Sequence, residues 1–251
     1  TNLKYVYFEG DIANYQLQPS MFSGCKHLVG VDYNGTLTSL PVRFFYGCSA
    51  LQFEIPSTLT NIGDYAFYNC TSLSGNICFP TNVTIGTYGF GYCESIDEIS
   101  FAGAPAALGD CCFYNSGVKK LDFVCPKRFY WDSNELFDYC TNLEEVTLPD
   151  DMTFIPEHMF ANCKNLKCIH FPKNLKIIYT YAFQDCGLET LEFPETLTTI
   201  QKNAFAGCQS LKIVKIPRAT TSLGENTFSG CQKLESIEFD KNTTLLAIPS
   251  Y

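Results

Sequence analysis

The hydrophobic residues of this chain recur at a near-constant interval of 22 to 24 residues. Each interval follows the pattern P-x-x-L-x-x-I-x-x-x-A-F-x-x-C-x-x-L-x-x-V-x-I-P, which is clearest between Glu192 and Pro217. The Phe of this pattern, called the motif Phe below, occurs ten times, at Phe22, Phe45, Phe67, Phe90, Phe113, Phe137, Phe160, Phe183, Phe205 and Phe228. Such a period is typical of a solenoid, in which each turn contacts only its neighbours.

Every turn contains a segment of the form L-x-x-I-x-I, whose alternation of apolar and polar residues predicts a β-strand with one buried face. Proline follows most of these segments, and because proline cannot donate to a strand ladder, it ends the strand. We expect eleven strands, with the inward pairs Val6/Phe8, Val31/Tyr33, Phe53/Ile55, Ile77/Phe79, Ile99/Phe101, Leu121/Phe123, Val146/Leu148, Ile169/Phe171, Leu191/Phe193, Val214/Ile216 and Ile237/Phe239.

The return to the next strand carries two further apolar positions, such as Leu59 and Ile62, and then a small residue before the motif Phe, as at Ala66. This return is too short and too polar for a long helix, so we expect turns, short extended pieces and 3-10 segments. The predicted fold class is a repeat solenoid with a parallel β-sheet on its concave face.

These turns resemble the leucine-rich repeats of the BspA-like, or treponemal-type, class, which read I-P-x-x-L-x-x-I-x-x-x-A-F-x-x-C-x-x-L. The resemblance covers essentially the whole chain. It implies a right-handed horseshoe or arc, with the parallel β-sheet on the concave face and short turns or 3-10 segments on the convex face. Residues 1–251 then form a single leucine-rich-repeat domain of about ten repeats of 22 to 24 residues. We expect truncation at both ends, since the chain starts directly on a strand and stops inside an unfinished turn.

Proteins of this class are typically surface-exposed or secreted in host-associated bacteria and some parasitic protists, and several are adhesins for host proteins. The resemblance therefore implies an extracellular or cell-surface location and a partner that is an extracellular protein or a glycan. The class has no catalytic motif, so the resemblance implies no enzyme activity, no catalytic residues and no cofactor.

The charge balance excludes two other classes of partner. The net charge is −9 and the sequence pI is near 4.8, and Lys and Arg are neither clustered nor in excess. A nucleic-acid groove needs a basic stripe, so neither nucleic acid nor an anionic bilayer suits this chain. We find no signal peptide and no apolar run near the roughly 18 to 20 residues of a membrane span, so we expect no membrane insertion by this chain.

Fourteen cysteines are present, and nine follow the motif Phe by three residues, at Cys25, Cys48, Cys70, Cys93, Cys140, Cys163, Cys186, Cys208 and Cys231. A residue repeated at one position stacks into a row inside a solenoid, where cysteine behaves as a small buried hydrophobe. Disulfides between turns are an alternative, although parallel side chains suit that bond poorly. Metal binding is disfavoured, because zinc needs four convergent ligands. The cysteines outside the row are Cys78, Cys111, Cys112, Cys125 and Cys168.

The outward strand positions form the predicted concave face, which is the usual binding surface of such solenoids. Seven carboxylates against two lysines make this face acidic, which suits a basic protein patch or a glycan rich in hydroxyls. The alternative is that these residues are merely solvated. The candidate binding residues are Tyr5, Tyr7, Asp32, Glu54, Glu98, Asp122, Glu145, His170, Glu192 and Glu238.

Three further features of the sequence concern candidate sites. Phe129, Tyr130 and Trp131 form either structural packing or an exposed aromatic contact patch. Cys168 and His170 lie two residues apart on one predicted strand, about 6.5 to 7 Å at their Cα atoms, which is long for a catalytic dyad. Sequons at Asn34, Asn69, Asn82 and Asn242 are glycan acceptors only in a eukaryotic secretory setting.

We therefore predict a monomeric extracellular or cell-surface recognition or adhesion module that binds a host protein or glycan through the concave face. The alternative is an inert structural spacer that displays another domain away from the cell surface. A binder is expected to carry a clustered and partly apolar exposed patch, whereas a spacer is expected to be uniformly polar along its length.

The row of nine cysteines is testable by mass spectrometry. If the row consists of reduced, packed thiols, unfolding the unreduced protein in an alkylating agent modifies all nine, because no bond between them has to be broken. A peptide map with extensive disulfides among these nine residues would contradict the prediction.

Overall fold

A computed structural model describes residues 1–123 and 133–241 of the chain. In these ranges the backbone forms short parallel strands and tight turns, with one 3-10 helix, Ile12–Asn14, and no α-helix. The strands wind into a solenoid of about ten turns, which confirms the predicted fold class.

The described residues contain seventeen strands. In chain order they are β1 (Tyr5–Asp11), β2 (Gly30–Asn34), β3 (Ser39–Leu40), β4 (Asn61–Ile62), β5 (Ser74–Phe79), β6 (Thr84–Ile85), β7 (Ser95–Phe101), β8 (Ala107–Leu108), β9 (Lys120–Asp122), β10 (Glu145–Thr147), β11 (Phe154–Ile155), β12 (Ile177–Ile178), β13 (Thr190–Leu191), β14 (Thr199–Ile200), β15 (Ile213–Ile216), β16 (Ser222–Leu223) and β17 (Ser236–Phe239).

These strands form two parallel ladders. The main strand ladder follows the L-x-x-I-x-I segments and consists of the sheets β1-β2, β5-β7-β9-β10 and β13-β15-β17. The return ladder follows the two apolar positions after the proline and consists of β3-β4-β6-β8 and β11-β12-β14-β16. Equivalent positions of successive turns lie side by side, as Ile99 does with Ile77 and Leu121.

Two of the eleven predicted strands are absent from the main strand ladder. The segments around Phe53/Ile55 and Ile169/Phe171 are not strands, so this ladder is divided into sheets of two, four and three strands. At the first break the Gln52 amide still donates to the Val29 carbonyl at 2.9 Å. Aromatic contacts hold the rest of that segment, because the Phe53 ring packs 5.5 Å from Phe45 and 5.8 Å from Phe67.

The motif Phe residues form a continuous column through the core. All of them are buried, and the rings of successive turns are mostly stacked, with centroids 5.2 Å apart between Phe113 and Phe137 and between Phe183 and Phe205. Aromatic pairs of this kind contribute about 0.5–1.5 kcal/mol beyond the burial of their area. The column therefore links each turn to the next by side chains alone.

The backbone around each motif Phe forms a third set of contacts between turns. Positions in a turn are counted from its motif Phe, so that the row cysteine is at +3. All ten residues at −2 have φ between 51° and 60°, and all ten at +2 have φ between 50° and 75°. This alternation turns the amides at −2, 0 and +2 towards the following turn, as with Tyr65 to Thr87, Phe67 to Gly89 and Asn69 to Gly91.

The row cysteines add a hydrogen bond to each of these connections. In eight turns the thiol donates to the carbonyl oxygen of the motif Phe one turn earlier, at sulfur–oxygen distances of 2.9 to 3.3 Å. Burial raises the pKa of Cys93 and Cys140 to about 12, so these two thiols stay protonated donors. All nine are free, eight are buried and Cys231 is half-buried, which confirms the predicted packing row.

Cys163 shows what the thiol does, because the Phe137 carbonyl accepts both the Cys140 amide at 3.2 Å and the Cys163 thiol at 3.3 Å. Replacing Cys163 by Ala removes the second donor from a buried acceptor, so we expect a loss of roughly 1–3 kcal/mol in unfolding free energy. Cys163→Ser keeps a donor, and we expect a smaller loss. Urea denaturation of the three proteins measures both. Equal losses for Ala and Ser would contradict a role for the hydrogen bond.

Candidate functional site

The strand face consists of the outward positions of the main strand ladder, which the sequence analysis assigned to the concave side. All ten candidate binding residues lie in the described ranges, and nine are exposed while Asp122 is half-buried. His170 lies on the segment that is not a strand. The side chains on the first turns of this face differ from those further along it, and that difference decides which of them are free to bind.

In the middle of the strand face the charges are paired across strands. The register places Asn76, Glu98, Lys120 and Glu145 in one row. The Asn76 amide donates to a Glu98 oxygen at 3.0 Å, and the Lys120 ammonium lies 3.4 Å from Glu145. Lys215 lies 3.8 Å from Glu238 near the other end. Three of the seven carboxylates on this face therefore already have a polar or cationic partner within the chain.

The first three turns carry a patch with a different character. The Tyr5 and Tyr7 rings stack at 6.4 Å and remain 51% and 66% exposed, and Tyr7 lies beside Asp32 in the register. Asp32 and Glu54 are exposed, and neither makes an ion pair with another described residue. Burial and the Glu54 charge together raise the pKa of Tyr33. We call Tyr5, Tyr7, Asp32 and Glu54 the strand-face patch.

A shallow depression adjoins the strand-face patch where the ladder is broken between β2 and β5. Its volume is about 470 Å³, and its lining includes Gln52, Glu54, Ser74 and Asn76 with the apolar Phe53 and Ile55. The missing strand thus leaves a concavity in which carboxylate and amide groups surround aromatic and aliphatic carbon. This combination can hydrogen-bond a polar ligand while it covers an apolar part of it.

The other candidate sites predicted from the sequence have less structural support. Cys168 and His170 are both exposed, and no hydrogen bond between them is found in the described part of the chain. Among the same residues no group of three or more His, Cys, Asp or Glu side chains is arranged to hold a metal ion. Phe129, Tyr130, Trp131 and Cys125 lie outside the described residues, as does the sequon at Asn242.

The sequence analysis missed a cluster of tyrosines around the motif Phe column. Seven tyrosines at positions −2, +1 or +2 of five successive turns touch one another, with centroid distances of 5.0 to 6.5 Å, such as 5.0 Å between Tyr46 and Tyr68 and 5.7 Å between Tyr88 and Tyr114. We call Tyr46, Tyr65, Tyr68, Tyr88, Tyr92, Tyr114 and Tyr139 the tyrosine array. When the turns are aligned on the motif Phe, these tyrosines fall at neighbouring positions of successive turns, and this alignment is the sequence signal that predicts the array.

Two residues shape the tyrosine array. Gly91 occupies position +1, where three of the other four array turns have Tyr, and a Cβ there would lie 3.0 Å from Tyr88 and 3.2 Å from Tyr68. The absence of a side chain at Gly91 therefore leaves room for the Tyr68 and Tyr88 rings. At one end the Arg43 guanidinium lies 5.3 Å from the Tyr65 ring centroid and 5.8 Å from that of Tyr46, within the range of a cation–π contact.

Acidic groups surround the other end of the array. The Glu135 carboxylate accepts a hydrogen bond from the Cys111 thiol at 3.3 Å, and the Asn162 amide donates to the buried Asp138 at 2.9 Å. A hydrogen bond with Cys111 raises the pKa of Tyr88, and burial followed by the Asp138 charge raises that of Tyr114. The Tyr88 and Tyr114 hydroxyls therefore stay protonated at physiological pH.

The family model described as the BspA type leucine rich repeat region matches the chain in six copies, over residues 1–126 and 132–249. A leucine-rich repeat protein from Bacteroides ovatus is 26% identical with a TM-score of 0.67, over 94% of this chain and 63% of that one. The chain thus spans less than two thirds of that protein. None of the curated proteins matches the chain in sequence.

Two other solved structures share the fold. A leucine-rich repeat protein from Eubacterium ventriosum is 18% identical with a TM-score of 0.57, over 93% of this chain and 69% of that one. The pneumococcal vaccine antigen PcpA is 20% identical with a TM-score of 0.58, over 95% of this chain and 68% of that one. The described residues contain no helix long and apolar enough to cross a bilayer.

Asp138 offers a test of the electrostatics beside the array. Burial raises its pKa, while Asn162 and His158 act to lower it and Glu135 adds to the rise. A folded pKa above the unfolded one gives stability that is present below the unfolded pKa and lost as the pH rises through the folded pKa. We therefore expect Asp138→Asn, which keeps an acceptor for Asn162, to stabilise the protein at pH 7 and to have less effect at pH 4.

Urea midpoints of wild type and Asp138→Asn between pH 4 and pH 7 measure this difference. The exposed Asp151 provides a matched control, because Asp151→Asn is the same chemical change without burial. A variant at position 138 that is less stable than wild type at pH 7 would show that Asn162 and His158 outweigh the burial.

Proposed function

This chain belongs to the BspA-type leucine-rich repeat family, and from that premise we propose that it is an extracellular or cell-surface recognition module. Its partner is an extracellular protein or a glycan, which it binds through the strand face. The observation that carries the proposal is the strand-face patch, where the exposed Tyr7 lies beside Asp32 and the exposed Glu54 follows on the next turn, both carboxylates without ion pairs in the described residues.

The strand-face patch has the properties of a binding surface. Tyrosine offers a large and rigid contact area with a polar tip, and it is enriched among the residues that dominate binding energy. Tyr7 is 66% exposed although its strand is paired, so its ring does not serve the packing of the solenoid. A spacer with inert faces has no use for such an exposed aromatic pair.

The charges of the patch indicate which partners fit. Asp32 and Glu54 carry like charges at equivalent positions of successive turns, and neither charge is compensated by an ion pair in the described residues. A basic protein surface would supply that compensation, and the net charge of −9 would speed its approach. A glycan would instead use the amides and carboxylates that line the adjoining depression, Gln52, Glu54 and Asn76.

The spacer function is the second candidate, and the middle of the strand face favours it. There the row from Asn76 to Glu145 is polar and its charges are internally paired, as expected of a surface that avoids partners. The two functions therefore make opposite demands on the strand-face patch. Repeat solenoids of this family are generally non-enzymatic, and we propose no catalytic role.

The test is a binding screen of the chain against extracellular-matrix proteins, plasma proteins and a glycan array at physiological salt. For any ligand found, we expect Tyr7→Ala and Glu54→Lys each to weaken binding by at least about tenfold, the effect of losing roughly 1.4 kcal/mol at a central contact. Surface plasmon resonance gives the dissociation constants.

Glu225→Lys is the matched control, since Glu225 is exposed and lies outside the main strand ladder. It makes the same charge change and is expected to leave binding within about twofold, given the screening of distant charges at this salt. Binding that survives both patch variants would remove the site from the patch. A wild-type protein that binds nothing in the panel would favour the spacer.

A further inference from the structure

We propose that the tyrosine array is a second binding surface, which takes an arginine-bearing segment of a basic protein partner. The array lies around the motif Phe positions and not on the main strand ladder, so this inference is independent of the proposed function. It rests on the arrangement of the rings, on an arginine of the chain itself that already packs against them, and on the carboxylates along their edge.

The solenoid does not require tyrosine at these positions. At position +1 the turns beyond the array carry Ala161, Gln184, Ala206 and Ser229, and at −2 the last two turns have Asn203 and Asn226. These turns have the same backbone conformation and the same buried motif Phe. The tyrosines of the array are therefore additional to what the fold needs, and their concentration in five adjacent turns calls for another role.

The tyrosine array presents a continuous partly aromatic surface. Six of its tyrosines are half-buried and Tyr139 is 43% exposed, so rings and hydroxyls both remain accessible. Several contacts are tilted or edge-on, as with Tyr68 and Tyr92 at 57° and Tyr88 and Tyr114 at 61°, so parts of the ring faces are not covered by a neighbour. Tyrosines held by one another bind with little further loss of side-chain entropy.

Arg43 shows which side chain such a surface accepts. Its guanidinium lies over the rings of Tyr46 and Tyr65, at 5.8 and 5.3 Å from their centroids. A planar, weakly hydrated guanidinium stacks on aromatic rings, whereas the ammonium of lysine is compact and strongly hydrated. The intramolecular contact at one end of the array is thus a template for an arginine of a partner further along it.

Carboxylates follow the edge of the array without cations to balance them. Asp64 and Asp110 are exposed and occupy position −3 of two array turns, and Glu135 is half-buried at −2 of a third. Their oxygens accept hydrogen bonds from the Thr87 amide, the Asn134 amide and the Cys111 thiol, and none makes an ion pair within the described residues. A guanidinium can stack on a ring and donate to a neighbouring carboxylate at once.

The length of the array sets the size of the segment. Five turns give four spacings of about 4.8 Å, or about 19 Å from the first turn to the last. An extended peptide advances about 3.3 Å per residue, so about six residues would cover this distance. A hexa-arginine peptide is therefore a suitable probe, and hexalysine is its counterpart with the same charge and a different head group.

The experiment measures binding of fluorescently labelled hexa-arginine and hexalysine by anisotropy at about 0.1 M salt, where distant charges are largely screened. We expect hexa-arginine to bind at least fivefold more tightly than hexalysine. The double variant Tyr68→Leu/Tyr114→Leu is expected to lose at least tenfold in affinity for hexa-arginine, whereas Tyr68→Phe/Tyr114→Phe keeps most of it because the rings remain. Glu135→Gln is expected to weaken binding severalfold.

Controls separate this surface from the strand-face patch and from misfolding. Tyr68 and Tyr114 are at +1, where φ is not positive, so Leu and Phe there add no backbone strain. Matching urea midpoints of the Leu and Phe variants verify folding. Tyr7→Ala is expected to leave the affinity for hexa-arginine unchanged. Tyr68→Leu/Tyr114→Leu is expected to leave the affinity for any ligand of the strand-face patch unchanged.

Three results would overturn the proposal. The first is that hexa-arginine does not bind. The second is that hexa-arginine binds no more tightly than hexalysine and that Tyr68→Leu/Tyr114→Leu leaves its affinity unchanged, which would indicate non-specific attraction to an acidic protein. The third is that a neutral glycan or a proline-rich peptide binds and loses affinity in Tyr68→Leu/Tyr114→Leu, while hexa-arginine does not bind. That result would assign the array to a different class of ligand.

Discussion

The backbone hydrogen bonds between turns at the motif Phe are the constraint on which the rest of this structure depends. They require left-handed φ values at −2 and +2 in every turn, including residues such as Arg43, Tyr65 and His158 that carry bulky side chains. Such a conformation costs about 1–2 kcal/mol per non-glycine residue. The inter-turn amide bonds, the Phe column and the thiol bonds to the Phe carbonyls offset this cost because they repeat in nearly every turn.

The same constraint determines which surfaces are free for partners. Positions −1, 0 and +3 are buried in all turns except at Met21 and Cys231. Side chains at −3, −2, +1 and +2 therefore line one side of each turn, and outward strand residues line another. Variation at these positions leaves the core unchanged, as the exchange of Tyr for Ala, Gln or Ser at +1 shows. A solenoid of this kind can therefore change its partners without changing its fold.

The two candidate surfaces combine aromatic rings with carboxylates in different ways. In the strand-face patch, the Tyr5 and Tyr7 rings stack on the first strand, Tyr7 lies beside Asp32, and Glu54 lies on the segment where the ladder is broken. In the tyrosine array the rings support one another over five turns, and one guanidinium of the chain already uses them. Both are acidic or neutral, in keeping with the net charge of −9.

The sequence alone determined the solenoid, the Phe column and the buried cysteine row. Apolar residues at a fixed interval can all be buried only if the turns stack in register, so no distant contact had to be known. Only the tertiary structure decided that the segments at Phe53 and Ile169 leave the ladder, that Lys120 pairs with Glu145, and that seven tyrosines meet. Each of these depends on side chains more than 20 residues apart, whose positions follow from backbone conformations with no simple residue signature.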